Sequence, residues 1–97
     1  MTYEYDPRFA RTTRKLPPPE RQRVLDAVAG VIRLFEQRQV SGGLGVKKLF
    51  SGEEVGAVFE ARAGLVLRVL FSVQQDLVTF LMVGDHDEVR RFIRSAR

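Results

Sequence analysis

Residues 55–71 read VGAVFEARAGLVLRVLF, two short runs rich in Val, Leu and Phe on either side of Ala63-Gly64. Apolar runs of this kind around a glycine turn predict a β-hairpin. Two loop lengths are open. A two-residue loop pairs Arg62 with Leu65 and Glu60 with Leu67, and strand alternation then puts Arg68 on the face of Phe59 and Ala61. A three-residue loop, Ala63 to Leu65, pairs Arg62 with Val66 and Glu60 with Arg68. It gathers Ala57, Phe59, Ala61, Leu67, Val69 and Phe71 on one face and Glu60, Arg62 and Arg68 on the other. An unpaired charge buried among apolar groups is costly, so the segregated register is expected. That face then carries either a structural Glu60–Arg68 ion pair, worth about 0.2–1 kcal/mol, or a phosphate cradle. In the cradle, two guanidinium forks on adjacent strands hold nonbridging oxygens and stabilise charge developing in phosphoryl transfer.

Working outward, Gly45 to Phe50 and Leu77 to Val83 read as two further strands. Ser51-Gly52-Glu53-Glu54 and Ser72 to Asp76 separate them from the hairpin, which predicts an antiparallel meander. Asp85 or Asp87 then caps a final helix with Val89, Phe92, Ile93 and Ala96 on one face. Acids at its start and Arg90, Arg91, Arg94 and Arg97 toward its end complement the helix dipole. On the N-terminal side, Ser41-Gly42-Gly43 breaks a helix expected over 19–37. Its apolar residues Val24, Leu25, Val28, Val31, Ile32 and Phe35 recur at helical spacing. Pro17–Pro19 separate it from a short helix in which Asp6 is the N-cap and Pro7 the first helical residue. Phe9, Thr13 and Leu16 share one face of that short helix, and Thr2 to Tyr5 reads as an opening strand. The expected fold is α+β in the order β-α-α-β-β-β-β-α, a helical hairpin packed on an antiparallel sheet with a C-terminal helix.

The whole chain, residues 1–97, reads as one domain, because 97 residues leave no room for a second core. There is no Cys and one His, which removes thiol nucleophiles, disulfides, Fe–S clusters and Cys- or His-rich metal sites. No apolar run approaches the ~18 residues of a membrane span, and the polar, charged start is no signal peptide. A cytoplasmic protein with no membrane partner is expected. The formal charge is +4, and 13 of the 16 basic residues are Arg, whose planar fork suits phosphate and carboxylate. Arg8, Arg11, Arg14, Arg21, Arg23, Arg33 and Arg38 form a basic helical surface for an anionic partner, or a solvated helix face.

His86, between Asp85 and Asp87, stands where the last strand meets the last helix. In a meander that strand neighbours the hairpin, so His86 approaches the Arg face from its end. Imidazole suits proton transfer near neutral pH; an exposed helix-start histidine is the alternative. Lys47, Lys48 and Arg90 are candidate phosphate-binding residues, with Lys47 and Lys48 on alternate faces of one strand and solvated charge as the simpler role.

In this order the motifs resemble the RelE/ParE superfamily of toxins from type II toxin–antitoxin pairs. Lys48-Leu49-Phe50-Ser51-Gly52 resembles the family's K-L-x-x-G turn, and Phe59-Glu60-Ala61-Arg62 its aromatic-x-x-R/K strand. Leu67-Arg68-Val69-Leu70-Phe71 resembles its Y-R-V-x-Y strand, and Gly84-Asp85-His86-Asp87-Glu88-Val89 its G-x-H-x-x-[LV] segment. The resemblance implies a RelE-like fold, a cognate antitoxin partner and, for the nuclease branch, cleavage of mRNA in the ribosome. There the 2′-hydroxyl attacks the adjacent phosphate, with no metal or cofactor. It assigns Arg62 and Arg68 to the scissile phosphate and His86 to general acid or base catalysis. Two positions depart from the pattern. Arg90 stands where several interferases have Tyr or Phe, and Glu60 stands where a basic residue is common. Glu60 is a candidate base for the 2′-hydroxyl or an ion-pair partner that neutralises Arg68. The ParE branch implies a DNA gyrase inhibitor without chemistry, and a binding module that has lost toxicity is the third reading.

Overall fold

Asp6 begins the first helix as expected: its Oδ1 accepts a hydrogen bond from the Arg8 N–H at 2.8 Å, with Pro7 at the first helical position. The computed structural model describes residues 1–39 and 42–96. Ser41 of the expected helix break and Arg97 of the last helix lie outside them. The elements are β1 (Thr2–Tyr5), α1 (Pro7–Arg14), α2 (Pro18–Gln37), β2 (Lys47–Gly52), β3 (Gly56–Ala63), β4 (Leu67–Gln74), β5 (Leu77–Gly84) and α3 (His86–Ala96). Among the described residues no helix is long and apolar enough to cross a membrane.

Strands β2 to β5 form the expected antiparallel meander, but the sheet as a whole is mixed, in the order β1-β5-β4-β3-β2. β1 adds to the outer edge of β5 in parallel, Thr2 opposite Leu77 and Tyr5 opposite Phe80. A four-residue strand followed by two helices carries no local signal of its partner; the path of the helices back across the sheet sets it. Burial, and then the Glu36 carboxylate of α2, holds the Tyr3 phenol of β1 above its usual pKa.

One face of the sheet packs on α1 and α2. Phe9 of α1 and Val24, Ala27, Val28 and Val31 of α2 meet Ala61, Val69, Phe71, Val78 and Phe80. Leu25, expected on the apolar face of α2, is 52 % exposed. The other face packs on α3 through Leu70, Met82 and Val89, with Leu49, Leu81, Phe92 and Ile93 partly buried beside them. Two register shifts feed this second layer. Lys48 pairs with Phe59 and Phe50 with Val58, leaving Leu49 extra in β2. Leu70 pairs with Met82 and Phe71 with Phe80, leaving Leu81 extra in β5. Each bulge breaks strict alternation, so Leu81 and Met82 both join the α3 side. β4 also runs three residues beyond its expected end, because Ser72, Val73 and Gln74 pair with Thr79, Val78 and Leu77. Gln75, at φ 55°, takes up the tight turn that follows.

Beyond Tyr5, β1 no longer covers β5, and α1 takes its place. The Val83 N–H donates to Thr12 Oγ1 at 3.1 Å, and that hydroxyl donates to the Arg8 carbonyl at 2.8 Å. Val83 is only 3 % exposed, so Thr12→Val, which keeps the shape and removes the acceptor, strands a buried N–H. The expected loss is about 1–3 kcal/mol, read in urea unfolding as a lower midpoint at an unchanged m-value.

Candidate functional site

The turn that joins β3 to β4 spans residues 64–66, one position later than expected. Gly64 sits at φ 80°, a left-handed conformation that glycine adopts without a Cβ clash. Ala63 therefore stays in the strand, where it is 3 % exposed. The register follows: Arg62 stands directly opposite Arg68, not Val66, and Glu60 stands opposite Leu70, not Arg68. Moving the pairing by two positions leaves every side chain on its expected face, so Glu60, Arg62 and Arg68 share the α3 side of the sheet.

Glu60 and Arg68 are diagonal neighbours and still meet. Arg68 Nε donates to Glu60 Oε2 at 3.2 Å, and the two side chains are about a fifth exposed. Arg68 Nη1 also donates to the carbonyl oxygens of Leu67 at 3.0 Å and Leu65 at 3.4 Å. The Arg68 fork is thus held in place by one carboxylate and two carbonyls. Arg62 is exposed, and its backbone N–H donates to the Leu44 carbonyl at 2.7 Å. Lys47 pairs with Glu60 across β2 and β3 and so lies on the same face. Lys48 pairs with Phe59 and lies on the opposite, α2 side, away from the site.

The register continues into β5, where Gly84 stands opposite Arg68. The chain then turns into α3 through a reciprocal cap. The Glu88 N–H donates to Asp85 Oδ1 and the Asp85 N–H donates to Glu88 Oε1, both at 2.9 Å. Of the two candidate caps, Asp85 is the one used. His86 is the first residue of α3 and is exposed. Arg90 lies one turn further along, also exposed, on the same side of the helix as His86. The fold therefore brings the Arg62–Arg68 pair, Lys47 and the start of α3 to one end of one sheet face. An arrangement of this kind can bind an anion, and His86 follows two residues after Gly84 in the chain.

No protein-family model matches the chain, and no curated protein matches it by sequence. Solved structures do share its fold. The archaeal RelE–RelB complex from Pyrococcus horikoshii OT3 is similar at a TM-score of 0.64 and 21 % identity, over 87 % of this chain and 92 % of that one. The RelB–RelE antitoxin–toxin complex from Methanococcus jannaschii gives 0.64 and 15 %, over 92 % and 96 %. The YoeB dimer from Staphylococcus aureus gives 0.63 and 10 %, over 89 % and 97 %.

Proposed function

Since the chain has the fold of the RelE-superfamily toxins, we propose that it is the toxin of a type II toxin–antitoxin pair and cleaves mRNA at the ribosome without a metal ion. The observation that carries this reading is the row Arg62–Arg68–Gly84 across three strands, with His86 two residues beyond its end. In this reading Arg62 and Arg68 neutralise the nonbridging oxygens of the scissile phosphate. The RNA 2′-oxygen attacks the phosphorus, the P–O5′ bond breaks, and a 2′,3′-cyclic phosphate is left. His86 gives a proton to the departing 5′-oxygen or takes the one lost by the 2′-hydroxyl. The antitoxin partner is supported by the RelE–RelB and RelB–RelE complexes of like fold. Induced expression of the chain, alongside His86→Ala and Arg68→Ala, is the test. Growth arrest with mRNA cuts that both variants lose is the expected result. Inhibition of purified gyrase with mRNA left intact replaces this reading with the gyrase one.

One observation favours a binding module without chemistry: the Arg68 charge is already matched by Glu60. Glu60→Gln separates the two. If Arg68 meets phosphate, removing the carboxylate tightens RNA binding and steepens its dependence on salt by about 0.7 in log–log slope, the contribution of one phosphate contact on a single strand. If Arg68 is purely structural, RNA affinity stays as it was, and only the ~1 kcal/mol of the pair is lost from stability.

A further inference from the structure

α3 packs on Leu70 and Met82. The next row of the same sheet face, Val58–Ser72–Thr79 across β3, β4 and β5, forms the floor of a hollow of about 250 Å³. Strand alternation turns these three side chains to the side of Leu70 and away from Phe71. Phe50, Leu81 and Phe92 are its apolar walls. Ser72 is 8 % exposed and is the one buried polar residue among those described. Among the described residues neither its hydroxyl nor that of Thr79 enters a hydrogen bond, and neither oxygen is closed off from the hollow. Buried hydroxyls are normally paired, so these two mark where the polar atom of a ligand belongs. A second hollow of about 460 Å³ shares Phe50, Val55 and Ala96 with the first and opens beside the turn between β2 and β3. Glu53 and Glu54 of that turn are exposed, and among the described residues they are the only charged ones in either lining.

We propose that the inner hollow takes the side chain of a tyrosine, presented by a segment of a protein partner that carries basic residues beside it. The walls suit a ring: a cavity of about 150 Å³ already admits benzene, and Phe50 and Phe92 offer aromatic neighbours. The hydroxyls at the floor need one neutral polar atom. An aliphatic side chain would leave them unpaired, and a charged head would lose its water with no counter-charge at the floor. A phenol both donates and accepts, as the Ser72 and Thr79 hydroxyls do. The outer hollow gives the peptide that carries the ring a path past Glu53 and Glu54, whose carboxylates favour lysine or arginine in that peptide. The inference does not depend on the nuclease reading, because neither Arg62, Arg68 nor His86 lines either hollow.

The test titrates the isotope-labelled full chain with acetyl-Lys-Tyr-Lys-amide and follows the backbone amides by NMR. Saturable shifts at Val58, Ser72, Thr79 and Phe92 are expected. Acetyl-Lys-Phe-Lys-amide should bind about fivefold more weakly, the factor that one net hydrogen bond is worth. Ser72→Ala combined with Thr79→Val removes both hydroxyls. It should cost the tyrosine peptide that same factor and leave the phenylalanine peptide as it was, so the two peptides bind alike. Acetyl-Asp-Tyr-Asp-amide should bind more weakly than the lysine peptide, and Glu53→Gln with Glu54→Gln should remove that preference. Circular dichroism checks that each variant is folded. Equal affinity of the wild type for the tyrosine and phenylalanine peptides overturns the proposal, as does a difference that survives the loss of both hydroxyls. Shifts confined to other surfaces, or none at all, overturn it too. Binding of p-cresol in the hollow without binding of the peptide gives the hollow to a free phenol and removes the protein partner. A chain that binds the peptide as expected but never cuts RNA leaves the hollow standing while the nuclease reading falls.

Discussion

Phe71→Ala is expected to lower the free energy of unfolding by about 3–5 kcal/mol, a large part of the ~5–15 kcal/mol that holds a domain of this size together. Phe71 is fully buried and is the ring on which the aromatic core converges. It stacks on Phe59 at 5.4 Å between centroids, meets Phe35 of α2 edge-on at 6.2 Å and tilts against Phe80 of β5 at 6.1 Å. Truncation leaves a cavity bounded by the sheet and by α2, and neither can collapse into it without breaking the β3–β4–β5 ladder. Loss of the three ring contacts adds to the loss of buried area. Urea unfolding measures the effect, with Leu65→Ala as the contrast. Leu65 is 96 % exposed in the β3–β4 turn, so its truncation should stay within about 0.5 kcal/mol. Equal losses in the two variants would mean that the aromatic cluster is not the core.

The second large effect is on activity. Removing a general acid or base typically costs 10²–10⁴-fold in rate, about 3–5 kcal/mol of transition-state stabilisation. On the proposed nuclease reading, with His86 as general acid or base, His86→Ala should abolish growth arrest and reduce cleavage by about that factor. His86 is exposed at the first position of α3, and the Asp85–Glu88 cap beside it stays intact, so stability should hardly change. Arg68→Ala should also lose 10²–10³-fold, as expected for a group that stabilises charge in the transition state. It leaves the Glu60 carboxylate without its partner, however, so Arg68→Lys is measured beside it. Lysine keeps the charge facing Glu60 but lacks the two-pronged fork. A folded Arg68→Lys protein with activity well below wild type supports phosphate binding by the fork. Arrest and cleavage at wild-type levels in both His86→Ala and Arg68→Ala would remove these residues from the mechanism.

Much of the candidate site was legible because it depends on strand alternation. Placing Glu60, Arg62 and Arg68 on one face required only the cost of burying a charge, and that face survived a two-position error in register. The error itself has a local cause. Ala63-Gly64 looks like the turn, yet the left-handed residue the turn needs is Gly64, so Ala63 remains paired with Leu67. The bulges at Leu49 and Leu81 were not legible, since each is an adjustment of one strand to a helix that packs from another part of the chain.

By itself, the sequence determined the order of elements, most of the polar and apolar faces, the cap at Asp6, a cap at Asp85 or Asp87, and which charged residues share a strand face. These are consequences of periodicity, hydrogen-bond capacity and desolvation, which act within a few residues. Tertiary structure alone decided that β1 lies parallel to β5, that Thr12 closes the rest of that edge, and that Lys47 shares the Arg68 face while Lys48 leaves it. Each of those depends on contacts between residues far apart in the chain, which are settled only when the two cores on either side of the sheet close together.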